Sequence, residues 1–270
     1  MHKYFISILF ILLFCRTSIG QLPNITFNII CTYKLDYQTD SNDIKSIKSE
    51  DMLLLLNDNY SVFKSKNWYL QDSVLSQVNG LDMTAMGYLQ SLKTNFKFTI
   101  LKDNSDNLHY FDFIDRDKYE YIEAKRGFNW KVLPDTSTIN NFHCQKAVTN
   151  YGGRKWNCWF TTEIPISEGP YKFNGLPGLI IKADDEQGYF VFNLIGINKT
   201  KAVSVIESIN DANKITKDKF YSYVDYFNKN RFALAQQRGI KFISGEDAIK
   251  KRLEDQVKKN NNPIELIIVK

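Results

Sequence analysis

Three histidines occur in the chain, and two of them, His109 and His143, lie beyond the first twenty residues. They are not spaced as a metal pair on any one element, so each reads as an ordinary strand residue. The sequence contains no Cys-x-x-Cys, His-x-x-x-His or Gly-x-Ser-x-Gly, and no glycine-rich phosphate loop. The familiar redox, zinc-hydrolase, serine-hydrolase and nucleotide chemistries are therefore disfavoured, and neither a metal nor a cofactor is expected. Acid–base work would need paired carboxylates. Asp184 with Asp185 and Glu163 with Glu168 are the candidates, although such pairs are also common turn residues. A catalytic cleft would have to gather Glu163, Arg154, His143 and Asp184 or Asp185.

The cysteines depend on compartment. Lys3, an apolar run from Tyr4 to Phe14, and Ser18 and Gly20 ahead of Gln21 have the layout of a secretory signal peptide over residues 1–20. Cys15 stands where a lipoprotein cysteine could, but Leu13-Phe14 lacks the small residue that lipidation wants. The mature chain is thus expected to begin at Gln21 without an acyl anchor. Export places Cys31, Cys144 and Cys158 in an oxidising compartment. Cys144 and Cys158 flank Asn150-Tyr151-Gly152-Gly153, and the candidate disulfide joins them across one hairpin. A three-residue loop, at Asn150-Tyr151-Gly152 or Tyr151-Gly152-Gly153, puts both on one face, whereas a two-residue Gly152-Gly153 turn sends them to opposite faces. Burying Phe142, Cys144 and Val148 together with Trp156, Cys158 and Phe160 requires the odd loop, which is the expectation. His143 would then face away from Cys144 and is poorly placed to activate it.

The elements that position these residues read mostly as strands. Ile25, Phe27, Ile29, Cys31, Tyr33, Leu35 and Tyr37 recur at every second position, the period of a half-buried strand. Met52 to Leu56, the turn Asn57-Asp58-Asn59, and Tyr60 to Lys64 form a hairpin. Trp68 to about Leu92, interrupted at Asn79-Gly80, reads as one or two short helices. Phe96 to Leu101, Leu108 to Ile114 and Tyr119 to Ala124 follow as strands joined by Asp- and Asn-rich turns. Thr216 is the expected N-cap, with Asp218 in the first turn. Phe220, Val224, Phe227, Arg231 and Leu234 at helical spacing then predict a helix over about 217–237, stopped by Gly239. Ser244 would cap a shorter helix to about Lys258, with Ile249, Leu253 and Val257 inward. Pro263 ends it, and Ile264 to Val269 can add a last strand.

Between these parts lies Gly169-Pro170-Tyr171-Lys172-Phe173-Asn174-Gly175-Leu176-Pro177-Gly178-Leu179-Ile180. Pro177 fixes its own φ and holds Leu176 extended, and Gly178 is expected at positive φ in a type II turn. Leu179-Ile180-Ile181, the turn Asp184-Asp185-Glu186-Gln187-Gly188, and Tyr189 to Ile197 then make a hairpin. Gly175, Leu176, Pro177, Gly178, Leu179 and Ile180 resemble letter for letter the motif of the GLPGLI family, exported proteins of Bacteroidota whose biochemical role is not established. The likeness extends in order through Trp130-Lys131-Val132-Leu133, Thr138 to Ala147, Gly153-Arg154, Trp159-Phe160-Thr161 and Glu163-Ile164-Pro165-Ile166. Weaker similarity, including Ser61, Phe63 and Ser65, runs from Tyr33 to the end. One departure is Asn141 before Phe142, where the family usually has glycine before an aromatic residue.

Lys and Arg number 35 against 30 Asp and Glu; removal of Lys3 and Arg16 with the signal peptide leaves 33, a net charge of +3 in place of +5. No basic cluster is interleaved with aromatics, so nucleic acid is not an expected partner. No apolar run after the signal peptide is long enough to span a bilayer. Residues 21–270 show no linker or repeat and are expected to form a single α+β domain, a large curved antiparallel β-sheet with the 217–237 helix on its concave face. This is similar to the open half-barrels of periplasmic lipoprotein carriers. The expected location is periplasmic, outer-membrane associated or extracellular. With 19 phenylalanines and 15 tyrosines, such a sheet suits non-catalytic binding of an apolar ligand, a peptide or an envelope protein partner. The alternative is an enzyme with a cleft near the Gly-Leu-Pro-Gly-Leu-Ile motif.

Overall fold

A computed structural model describes residues 25–77, 82–125, 127–204, 211–242 and 245–266. The expected signal peptide with Cys15 and the Gly20/Gln21 cleavage site lies outside the described residues, as do Asn79-Gly80, the Ser244 cap and residues 267–269 of the last expected strand. Residues 264–266 of that strand are not in strand conformation.

The strands are β1 (Ile25–Gln38), β2 (Ile47–Leu56), β3 (Ser61–Ser65), β4 (Thr99–Lys102), β5 (Asn107–Ile114), β6 (Asp117–Ala124), β7 (Lys131–Ile139), β8 (Phe142–Tyr151), β9 (Arg154–Thr161), β10 (Leu179–Asp185), β11 (Phe190–Ser204) and β12 (Asn213–Lys214). They form one 12-stranded sheet in the order β12-β6-β5-β4-β3-β2-β1-β11-β10-β9-β8-β7. The sheet is open, with β12 and β7 at its edges. It is mixed rather than wholly antiparallel, because the two residues of β12 pair parallel with β6. The helices are α1 (Lys66–Gln77), α2 (Met83–Ser91), α3 (Lys217–Gln237) and α4 (Glu246–Lys258). No helix among the described residues is long and apolar enough to cross a membrane.

Local chemistry sets the turns. Asn57 Oδ1 accepts from the Asn59 and Tyr60 N–H groups (2.9 and 2.7 Å), which closes β2 onto β3. Asn140 and Asn141 both take positive φ (51° and 66°) between β7 and β8. Asparagine tolerates that conformation, so Asn141 fills the role that glycine would otherwise take. At the start of α3, Thr216 Oγ1 accepts from Lys219 N–H (3.3 Å), and Gly239 follows the helix at φ 80°. α4 instead begins at Gly245 without a side-chain cap, and Glu246 and Asp247 in its first turn face the positive helix end.

Alternation along the strands gives the sheet two apolar faces. One carries Leu53, Leu55, Val62, Leu101 and Phe111, with Tyr69 of α1 packed against them. The other carries Tyr33, Leu35, Leu54, Phe63, Ile100, Tyr110, Trp156 and Phe192. The helix expected across this second face covers only one end of it. Phe220, the buried residue of α3, packs between Tyr110 of β5 and Tyr121 of β6 (5.9 and 5.3 Å between centroids), and α3 also packs against α4.

Candidate functional site

What fills the second face is the chain between β9 and β10 together with the first residues of β10. Tyr171, Phe173, Leu176, Leu179, Ile180 and Ile181 are all buried. Phe173 lies within 4.8–6.3 Å of the rings of Trp156, Phe128, Trp130, Tyr151 and Tyr171. Tyr33 Oη donates to Ile180 O (2.6 Å) and Trp130 Nε1 to Asn174 O (2.8 Å), which fixes the segment to β1 and to the approach to β7. The segment is thus a plug for the sheet.

Gly178 does not take the expected positive φ; within the motif that conformation belongs to Gly175, at 91°. Gly178 donates to Leu176 O (2.8 Å) in a tight turn about Pro177. Glycine is needed there because a Cβ would sit 1.9 Å from Thr161 O and 2.6 Å from Thr161 C, both backbone atoms. The motif is a close crossing of two backbones where a type II turn was expected.

The plug carries charge into the core. Lys172 is fully buried, and its Nζ binds Glu265 Oε1 (2.5 Å), Tyr121 Oη (3.0 Å) and Glu123. The rings of Tyr110, Tyr171, Tyr121 and Tyr151 surround that ammonium at 4.8–5.7 Å, a set of cation–π contacts. Lys217, at the start of α3, adds bonds to Glu265 Oε2 (2.7 Å) and Glu123 Oε2 (3.0 Å). Burial alone would raise the Glu265 carboxyl, but Lys172 and Lys217 outweigh it and hold it at about 2. Burial first, and then Glu265 and Glu123, push the Tyr151 hydroxyl far up, so it remains a donor to Glu123 Oε2 at 2.9 Å. Tyr171 reaches Glu265 (2.5 Å) from a strained left-handed backbone, φ 55°, a local cost of about 1–2 kcal/mol.

A second buried pair lies on the other side of Phe173. Lys102, fully buried on β4, pairs with Glu168 and donates to Phe173 O (3.2 Å), and Lys125 lies 3.5 Å from Glu168 Oε1. Here the plug reaches the surface. A groove of about 340 Å³ is lined by Asn57, Asn59, Ser61, Lys125, Glu168 and Asn174, among others. Ser61 Oγ is buried beneath it without a hydrogen-bond partner among the described residues.

The residues singled out from the sequence are dispersed. Arg154 binds Asp185 (2.8 Å) at one end of β9, while Glu163 accepts from the His143 backbone N–H (2.7 Å) beyond the other. The eight residues of β9, seven steps from Arg154 to Thr161, separate these ends by about 23 Å. Asp184 pairs with Lys182 (3.3 Å). The cleft of Glu163, Arg154, His143 and Asp184 or Asp185 is therefore not formed. His109 Nδ1 lies 2.6 Å from Glu120. No group of three His, Cys, Asp or Glu side chains among the described residues is placed to hold a metal.

The candidate disulfide is also corrected. Tyr151 pairs with Arg154 and Ala147 with Cys158, so the loop is the two-residue Gly152-Gly153 turn, with φ 59° and 76°. That register sends Cys144 and Cys158 to opposite faces, and Cys31, Cys144 and Cys158 are buried free thiols. Burial raises all three thiols, that of Cys31 to about 12. The inward partners of Trp156 and Cys158 are Thr149 and Ala147, not Val148 and Cys144. The conformational demand of two consecutive glycines decided the loop over the apolar pattern.

Lys102, Lys172, Glu123, Lys217 and Glu265 did not stand out in the sequence. Their signal is a charge embedded in an apolar run, as in Tyr171-Lys172-Phe173 and Ile264-Glu265-Leu266.

Residues 152–182 match the model of a family described as a protein of unknown function (Porph_ging). The matched stretch includes the Gly-Gly turn, Arg154, Glu168, Lys172 and the motif. No curated protein matches the sequence. The fold is similar to that of PNGF-II, solved in space group P21 (TM-score 0.53, 13% identity, covering 73% of this chain and 33% of that chain). The same protein in space group C2 gives a TM-score of 0.52 at 13% identity, covering 73% of this chain and 32% of that one. This chain spans about a third of the length of those structures, and at this identity the likeness is one of fold.

Proposed function

We propose that the protein is exported to the cell envelope and binds a ligand or partner without transforming it, using the groove beside the plug. The observation that carries this reading is the plug itself. The aromatic face that would have received an apolar ligand is filled by Tyr171, Phe173 and Leu176. The adjoining opening is instead lined mostly by polar residues, among them Asn57, Asp58, Asn59, Lys125 and Glu168, with Leu56, Tyr60 and Ile166 between them, over the buried Lys102–Glu168 pair. The ligand is accordingly a polar molecule or the polar surface of a partner protein, in place of the apolar ligand that the aromatic content implies. Export rests on the layout of residues 1–20 and on the resemblance to the GLPGLI family.

The groove is tested by mass spectrometry of protein purified from its native envelope, comparing wild type with Lys125→Glu and Asn59→Ala. A species carried by wild type and lost from both variants is the expected result. The same species on all three, or none on wild type, overturns the groove. N-terminal sequencing of the envelope fraction should read from Gln21, and an uncleaved Met1 would overturn export.

A further inference from the structure

The segment that follows α4 is held as a bound peptide would be. Arg154 reads three of its oxygens, donating from Nη2 to Asn262 Oδ1 (2.5 Å) and Pro263 O (2.6 Å) and from Nε to Ile264 O (3.1 Å). Asp185 fixes the guanidinium from behind (2.8 Å), and Phe190 and Tyr189 lie 5.0 and 5.7 Å from it. Asn262 donates from its side chain to Gln38 O (2.7 Å) and from its backbone to Thr39 O (3.3 Å). Leu266 N–H donates to Gly152 O (2.6 Å), and the Glu265 carboxylate enters the space between Lys172 and Lys217.

The receiving surface is shaped for this passage. A Cβ on Gly152 would lie 2.8 Å from Glu265 Cγ, and one on Gly153 would lie 2.8 Å from Leu266 O. Residues 261–266 form neither helix nor strand, and α4, which leads into them, packs chiefly on α3. Recognition therefore comes from polar groups fixed on the sheet and the plug, with little regular structure in the segment itself.

We propose that the Gly152–Gly153 turn, Arg154 and the Lys172–Lys217 pair form a peptide-binding site for a short irregular segment bearing a side-chain amide and, three residues on, a glutamate. The chain's own Asn262–Leu266 fills this site in cis. Arg154 supplies the backbone and amide contacts, the glycines admit the peptide backbone, and the two ammonium groups select the carboxylate. A free peptide of the same chemistry competes against the high effective concentration of the tethered segment, so binding in trans is strong only when the tethered glutamate is removed. The site lies apart from the groove at Lys125 and does not depend on it.

Two measurements test the proposal. Hydrogen exchange on the wild-type full chain should show the Asn262 and Leu266 amides exchanging through a local opening, about a hundredfold faster than the paired amides of β8 and β9. Exchange of those two amides only through global unfolding would show an integral part of the core and overturn the proposal. Fluorescence anisotropy would then follow a labelled peptide of residues 260–266 on full-length Glu265→Ala. It should bind about tenfold or more tightly than the same peptide with glutamine for glutamate, the scale of charge-assisted hydrogen bonds. Equal affinities, or no binding to a folded variant, would overturn it; if the variant does not fold, the wild-type exchange measurement decides.

Discussion

Gly178 and Gly175 stand three residues apart and are needed for different reasons. Gly178 has no room for a Cβ against the Thr161 carbonyl, whereas Gly175 has room, its nearest neighbour being Trp130 Nε1 at 3.7 Å, but holds φ 91°. Gly175→Ala should therefore cost about 1–2 kcal/mol of backbone strain. Gly178→Ala should cost about 3 kcal/mol or more, because two backbones must separate. Urea denaturation of the two variants checks the order, and equal losses would refute the crossing. Glu265 makes a pH-dependent prediction. Its folded value of about 2 lies below the ordinary 4.5, so its contribution is fully present above 4.5 and is lost as pH falls through about 2. By linkage that contribution is about 3 kcal/mol. Glu265→Gln should destabilise the protein at pH 7 by about that amount or more, since it leaves Lys172 and Lys217 without a full counter-charge in the core. The deficit relative to wild type should shrink steadily between pH 4.5 and pH 2, measured by thermal unfolding across that range.

The β8–β9 hairpin shows how one turn decides the chemistry of its arms. Because Gly152-Gly153 is a two-residue turn, Cys158 lies beside Ala147 on the plugged face, and Cys144, three positions from Ala147, alternates away from it along β8 although it borders the same core. Both thiols, like Cys31, are buried and raised by desolvation, a setting of low nucleophilicity. A thiol reagent added to the purified mature protein should find no fast-reacting cysteine while the protein is native and three after denaturation without reductant. Fewer than three after denaturation would reveal a disulfide, and one joining Cys144 to Cys158 by peptide mapping would contradict this register. The same turn supports the segment after α4, so its two glycines set both a strand register and a docking surface.

Across the whole molecule, stability is concentrated at the centre of the sheet. β1 is paired along most of its length, with β2 on one side and β11 on the other, and its inward residues Cys31, Tyr33 and Leu35 are almost completely buried. α4 has no buried residue and no side-chain cap. Native-state hydrogen exchange should therefore find its slowest amides in β1 and its fastest helical amides in α4. Comparable protection in the two would show that the helical end is integral to the core.

Local pattern in the sequence was enough for most of the strands and for α3, whose span Lys217–Gln237 follows from the Thr216 cap, the 3.6-residue apolar stripe and Gly239. The alternation from Ile25 to Tyr37 gave β1, and Asn57-Asp58-Asn59 gave the β2–β3 turn, because period and turn chemistry act within a few residues. The tertiary structure decided what depends on residues distant in the chain. Lys172 meets Glu265 at a separation of 93 positions, and no local pattern marks either as a partner of the other. The need for glycine at 178 arises from Thr161, on a different strand of chain. The β8–β9 loop length was contested between an apolar pattern and the glycines' own conformation, and the passage of Glu265 and Leu266 over that turn requires the small residues placed there. Periodicity shows which side chains face inward; only the folded topology shows that the inward face is closed by the chain's own plug and what meets the charges buried there.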